Sequence, residues 1–230
     1  MQHVDKHFVN RIGWLRASVL GANDGILSTT SIVIGVAAAT PDRQTIILAA
    51  LAGLVAGAMS MAAGEYVSVS SQADTEKADL EREKKELEKM PEEELEELTQ
   101  IYEKRGLSRK LAKQVAIELT QNDALAAHAR DELGITDTNL ANPLQAAFSS
   151  FGSFVVGALL PLIVAIFTPV KTMIYYQYTF AILFLILLGA ISAKTGGSNL
   201  KKSILRVAFW GTVAMVASAL VGHFFGVDVN

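Results

Sequence analysis

The sequence predicts an all-α integral membrane protein with five transmembrane helices and a cytoplasmic three-helix insert between spans two and three. Three observations carry this reading. First, 51% of the 230 residues are hydrophobic and the mean hydropathy is +0.34, too apolar for most soluble domains of this size. Second, five segments supply the roughly 20 mostly apolar residues that a span requires. Third, charge is segregated. Residues 72–141 hold 18 of the 23 acids and 11 of the 20 bases, a local balance of −7, while the other 160 residues balance at +4. There are no cysteines, which excludes disulfides and thiolate ligands. Any metal site must therefore use Asp, Glu, His, Met or backbone oxygens.

In chain order, residues 1–19 read as a cytoplasmic amphipathic N-terminus. Met1–Arg16 contains Asp5, Lys6, Arg11 and Arg16 and no long apolar core, so it is not a signal peptide. His7–Arg16 reads as a short helix on the membrane surface, with Trp14 at headgroup level. Residues 20–69 contain the first two spans, expected at Leu20–Ala39 and Thr45–Val69, with "ATPDRQ" as the tight turn between them and Asp42 and Arg43 exposed. Residues 70–141 form the insert. "SSQADTEKADLEREKKELEKM" continues span two as a polar helix, and Pro91 suits the first position of a second helix, "PEEELEELTQIYEK", whose early acids complement the helix dipole. Gly106 stops that helix, Ser108 is placed to cap a third, and Asp123 to cap a further stretch ended by Gly134. Residues 142–230 hold the last three spans, at Leu144–Phe167, Ile174–Ala193 and Ile204–Phe225. Pro161 is expected to kink the third, and Gly196 and Gly197 to end the fourth. Gly53 and Gly57, and Ala214, Ser218 and Gly222, recur at the spacing that packs one span against another.

Basic residues orient the chain. Lys6, Arg11, Arg16, the 11 bases of the insert, and Lys194, Lys201 and Lys202 all fall on one side if five spans alternate. Only Arg43 and Lys171 fall on the other, with the base-free tail "GVDVN". The N-terminus and insert are then cytoplasmic and the C-terminus lies outside.

Helical spacing singles out acids in the insert. Glu83 and Glu86 are three apart, Glu94 and Glu97 three apart, and His128 and Glu132 four apart, so each pair shares a helix face. Three helices folded together would aim five carboxylates and one imidazole at one centre, a donor set suited to Fe²⁺ or Mn²⁺ and tolerant of Zn²⁺. The bland alternative is that these glutamates only solvate their helices. In the spans, Asp24 is the odd residue. A carboxylate inside a span costs about 2.5–3.5 kcal/mol on insertion scales and commonly marks a pathway, unless it merely caps a helix at the interface. Met61 and Glu65 are four apart on span two, where a thioether beside a carboxylate suits a partly dehydrated cation; core packing and an interfacial acid are the plainer account.

The stretches "GANDGILSTTSIVIGV", "GAMSMAAGEYVSVSSQADTE", the Glu-rich insert and "NPLQAAFSSFGSF" together resemble the vacuolar iron transporter family over nearly the whole chain. The resemblance implies a homodimer in a lipid bilayer that moves Fe²⁺, and often Mn²⁺ or other divalent ions, out of the cytoplasm in exchange for protons. It implies a pathway between subunits along the first two spans. By it Asp24 and Met61 match pathway residues, and Glu83, Glu86, Glu94, Glu97 and Glu132 match glutamates of a cytoplasmic metal-binding domain. No prosthetic group and no nucleic-acid partner are expected. Two positions depart from the plant members. Gly53 stands where they have a span-two glutamate, with Glu65 one turn after Met61 as in the nodulin-like branch. His128 and Ala129 stand where they have two methionines.

The functional expectation is a proton-coupled divalent metal exporter. Compact length and the absence of a targeting segment favour a prokaryotic cell membrane, with a vacuolar membrane as the alternative. Two rivals fit part of the pattern: a membrane-tethered di-iron oxidase and a metal sensor. Bundle di-iron sites use Glu-x-x-His pairs, and the insert has none.

Overall fold

A computed structural model describes residues 12–135 and 142–225. Among these the protein is 91% helix without strands. The helices are α1 (Ile12–Ala39), α2 (Arg43–Lys89), α3 (Pro91–Lys104), α4 (Arg109–Asp131), α5 (Pro143–Phe167), α6 (Met173–Gly196) and α7 (Leu200–Phe225), with one 3₁₀ turn at Val170–Thr172. Five stretches are long and apolar enough to cross a membrane: Ala17–Ala39, the first part of α2, α5, Val170–Gly196 and α7. The expected surface helix at His7–Arg16 lies partly outside the described residues, and Ile12–Arg16 form the first turns of α1. The "GVDVN" tail is also outside them.

The chain forms two compact units, residues 1–66 with 144–230, and residues 67–143. In the first, α1 contributes to two cores. Val33 joins Ile46, Ala50, Leu54 and Ala58 of α2 and Phe154, Ala158 and Leu162 of α5. Ile26 and Ile34 join Ala181 and Leu185 of α6 and Met215 of α7. The outward faces are apolar as well, with Leu48, Val55, Phe148, Leu205 and Phe209 all exposed, which is the pattern of a surface solvated by lipid tails.

Small residues let these helices approach. A Cβ on Gly157 would meet the Ala22 backbone, one on Gly25 the Phe154 carbonyl, and one on Gly222 the Gly35 carbonyl. Gly57 faces the Phe154 ring and Gly53 the Ile32 side chain, so the GxxxG pair of span two packs between helices of the same chain. α5 continues through Pro161 as one helix. The Pro161 carbonyl accepts a 2.7 Å bond from Nε2 of Gln177 on α6, satisfying an amide that is 1% exposed. Arg43, expected to be exposed in a turn, is half-buried. Its guanidinium donates to the Ile166 and Thr168 carbonyls, each at 2.6 Å, and so caps the C-terminal end of α5. At the far end of α6, Gly197 adopts φ +67°, the left-handed cap that a glycine accepts without a Cβ clash.

The second unit contains the polar end of α2 with α3 and α4. Pro91 occupies the first position of α3, and Gly106 at φ +100° ends the turn that follows. Ser108 sits at the N-cap of α4, but its hydroxyl makes no capping bond. Asp123 interrupts α4 with extended backbone (φ −161°, ψ 97°), and its Oδ1 accepts the Ala126 N–H at 3.0 Å. It therefore caps the last two turns as a separate short helix. The core of this unit is Leu98, Ala116 and Ala127, flanked by Leu95, Tyr102 and Leu119.

Candidate metal centre

Four side chains of the second unit converge: Glu83 from α2, Glu94 from α3, and His128 and Glu132 from the end of α4, with one ligand atom from each lying within 4.8 Å of all the others. Glu94 enters because it lies one turn before buried Leu98 on the inward face of α3. His128 and Glu132 enter because the break at Asp123 re-aims the last turns of α4, whose Ala127 joins the unit's core.

The centre of the group is Nδ1 of His128. Glu83 Oε1 lies 2.9 Å from it, Glu132 Oε2 3.0 Å and Glu94 Oε2 3.7 Å. An imidazole nitrogen carries at most one proton, and here the hydrogen-bond geometry is met with Glu132. Glu83 Oε1 is buried and has no hydrogen-bond partner. Three carboxylates crowd one imidazole nitrogen almost out of water, with at most one ring proton to share among them, an arrangement that a bound cation would neutralise. The acids show the strain. Burial, then the neighbouring Glu132 charge, lifts the Glu83 carboxyl to about 7. Burial also lifts Glu94, with Glu97, Glu132 and Glu86 adding repulsion.

Six ligands are expected from spacing, and four meet. Glu86 is half-buried and Glu97 exposed. Both stand outside the group of four, although their charges reach Glu94. Three residues on a helix turn a side chain about 60° off its partner's direction, enough to carry Glu86 and Glu97 from the centre to its edge.

One supporting network is not legible in the spacing. Asp131 accepts bonds from Tyr102 (2.6 Å), Arg105 (2.6 Å) and Arg130 (2.8 Å). Burial alone would raise its pKa, but those three donors hold it well below the usual carboxylate range. The network ties the end of α4, immediately before Glu132, to α3. The only signal for it in the sequence is an Arg-Asp pair beside a predicted ligand, which is too common to single out.

In the first unit, Asp24 is half-buried on α1, in the interior of a span. Its backbone carbonyl accepts Ser28 Oγ at 2.6 Å, and its carboxylate has no ion pair among the described residues. Met61 packs against the α2–α5 core, and Glu65, one turn on, is half-buried. Neither Asp24 nor Glu65 joins a group of three or more metal-ligating acids and imidazoles among the described residues.

Residues 15–223 match the model of the VIT family. The chain is 44% identical over 218 residues to a "Vacuolar iron transporter" of Acanthamoeba castellanii, covering 94% of this chain and 80% of that one. It is 34% identical to "VIT-like transporter 1b" of Glycine max, covering 93% and 76%. It is 33% identical to "Vacuolar iron transporter homolog 2.1" of Arabidopsis thaliana, covering 95% and 84%.

Proposed function

The chain belongs to the VIT family, and from that premise we propose that it transports divalent metal ions, Fe²⁺ first and Mn²⁺ or similar ions with it, out of the cytoplasm by proton exchange as a homodimer. Transport, as the relatives' names state for them, replaces catalysis as the activity of an integral membrane protein. The observation that carries the metal reading is the convergence of Glu83, Glu94 and Glu132 on Nδ1 of His128. It supports a capture site that gathers the ion before it enters the membrane, with Glu86 and Glu97 drawing cations towards it. One imidazole with three carboxylates about one point suits a single ion, which weighs against the di-iron oxidase.

Asp24 carries the membrane step. An unpaired carboxylate in a span is tolerated when it is protonated or holds a cation. Metal binding requires the deprotonated form. The same group therefore binds either the ion or the proton, and that exclusion is antiport. Met61 and Glu65 line the path from span two. Two α1 helices of a dimer would complete a coordination shell that Asp24 lacks within one chain.

The test is flux. Proteoliposomes with an imposed pH gradient are expected to move Fe²⁺ and Mn²⁺ with the wild-type chain. Asp24→Asn, which keeps the size and loses both roles, should assemble normally and transport nothing, while Asp24→Glu keeps part of the rate. Wild-type flux from Asp24→Asn would reduce the acid to a helix cap.

A further inference from the structure

We propose that His128 sets which ions the second unit accepts. The site formed by Glu83, Glu94, His128 and Glu132 holds one ion through three carboxylates and Nδ1, admits cations that bind imidazole such as Fe²⁺, Co²⁺ and Zn²⁺, and rejects Mg²⁺ and Ca²⁺. This rests on the reading of the cluster as a metal site and needs nothing about flux.

Three observations support it. The first is that the ligand atoms surround a nitrogen. Glu83 Oε1, Glu132 Oε2 and Glu94 Oε2 lie at 2.9, 3.0 and 3.7 Å from Nδ1, so any ion placed among the carboxylates meets an imidazole. Imidazole suits zinc, iron and similar borderline ions, whereas Mg²⁺ and Ca²⁺ take oxygen ligands. The second is dryness. The side chains of His128, Glu83 and Glu94 are 0%, 4% and 8% exposed, and only Glu132, at 27%, reaches water. An entering ion must therefore shed water on three sides. Mg²⁺ dehydrates reluctantly, and Ca²⁺ seeks six to eight oxygens. The third is the choice of ring nitrogen. Nε2 is buried without a hydrogen-bond partner and lies away from the acids. Glu83 Oε1, also buried and unpartnered, faces Nδ1. Binding at Nδ1 consequently moves the ring proton to Nε2 and replaces the Glu132 hydrogen bond with a metal bond.

The experiment uses the full chain in detergent. With His3, His7 and His223 replaced by glutamine and the remaining histidine labelled with ¹⁵N, added Zn²⁺ is expected to shift Nδ1 and leave an Nε2–H tautomer. Calorimetry on the otherwise native chain is expected to show Zn²⁺ and Co²⁺ binding far more tightly than Mg²⁺ or Ca²⁺. His128→Gln, which keeps bulk and offers an oxygen, should cost at least about tenfold in Zn²⁺ affinity and leave Mg²⁺ binding unchanged. An unchanged Zn²⁺-to-Mg²⁺ preference in His128→Gln, or Zn²⁺ bound at Nε2, overturns the proposal while sparing the carboxylate site. No Zn²⁺ binding by the native chain overturns both. The NMR arm reads the native imidazole, so a failure of the glutamine variant to fold does not remove the test.

Discussion

Burial, reinforced by Glu132, lifts the Glu83 carboxyl from 4.5 to about 7, and this one group couples the second unit to pH in two directions. A carboxyl whose folded pKa is raised favours the folded state below its unfolded value, and that advantage is lost as pH rises through the folded value. The metal-free chain should therefore lose thermal stability between about pH 5 and pH 8. Glu83→Gln should flatten that decline, melting above wild type at the upper end of the window and level with it near pH 4. Metal acts with the opposite sign. Its affinity should climb as Glu83 deprotonates through pH 7 and then level off. Circular-dichroism melts with chelator, beside calorimetry with Zn²⁺, read both. Identical melting profiles for the two proteins would show that Glu83 is not held in its neutral form. Asp131 is the counterpart that stays charged, because three donors keep its carboxyl low.

At the scale of helices, α1 and α5 cross where Gly25 meets the Phe154 carbonyl and Gly157 meets the Ala22 backbone. Backbone cannot move aside as a flexible side chain does, so Gly157→Ala should cost about 1–3 kcal/mol, the usual range for overpacking. Gly152, on the same helix, has open space where its Cβ would stand. Gly152→Ala should be neutral or stabilising by about 0.5–1 kcal/mol, since alanine suits a helix better than glycine. Denaturant titrations in detergent compare the two variants, and equal effects would mean that the α1–α5 crossing does not govern stability. The crossing also fixes how α1 sits, and therefore where Asp24 stands in the bundle. In the second unit, the break at Asp123 has the same standing. Its backbone is extended there, its Oδ1 accepts the Ala126 N–H, and the turns that carry His128 and Glu132 start from that cap.

Over the whole molecule, the distribution of bases gives an orientation. Proposed as cytoplasmic are the second unit and the α6–α7 turn, with Lys194, Lys201 and Lys202; proposed as opposite are the α1–α2 and α5–α6 turns. The chain has no cysteine of its own, so single cysteines report without background. Gln100→Cys and Ser198→Cys should react with an impermeant maleimide from one side of a sealed vesicle, and Gln44→Cys and Thr172→Cys from the other. All four are exposed positions. Labelling of all four from the same side would overturn both the alternation and the direction of transport built on it.

What the sequence determined by itself is local. Hydropathy placed five apolar helices, Gly197 marked the end of one of them, and Pro91, Gly106 and Asp123 marked helix ends in the polar insert, because caps and apolar runs act within a turn or along a single helix. The same periodicity brought Glu83, Glu94, His128 and Glu132 into view as candidates. It also brought in Glu86 and Glu97, since residues three apart are neighbours on a helix whether or not they reach the same point. Only the tertiary structure decided which four meet. The packing of α3 against α4 through Leu98, Ala116 and Ala127 turns Glu94 inward and leaves Glu97 outside, keeps both His128 and Glu132 at the site, and presents Nδ1 rather than Nε2. It decided likewise that Arg43 caps a helix more than 120 positions along the chain, and that Asp131 ties α4 to α3. The reason is common to all of these. A helix fixes angles around its own axis, whereas a site needs the angle between axes, which is set by packing residues distant in sequence.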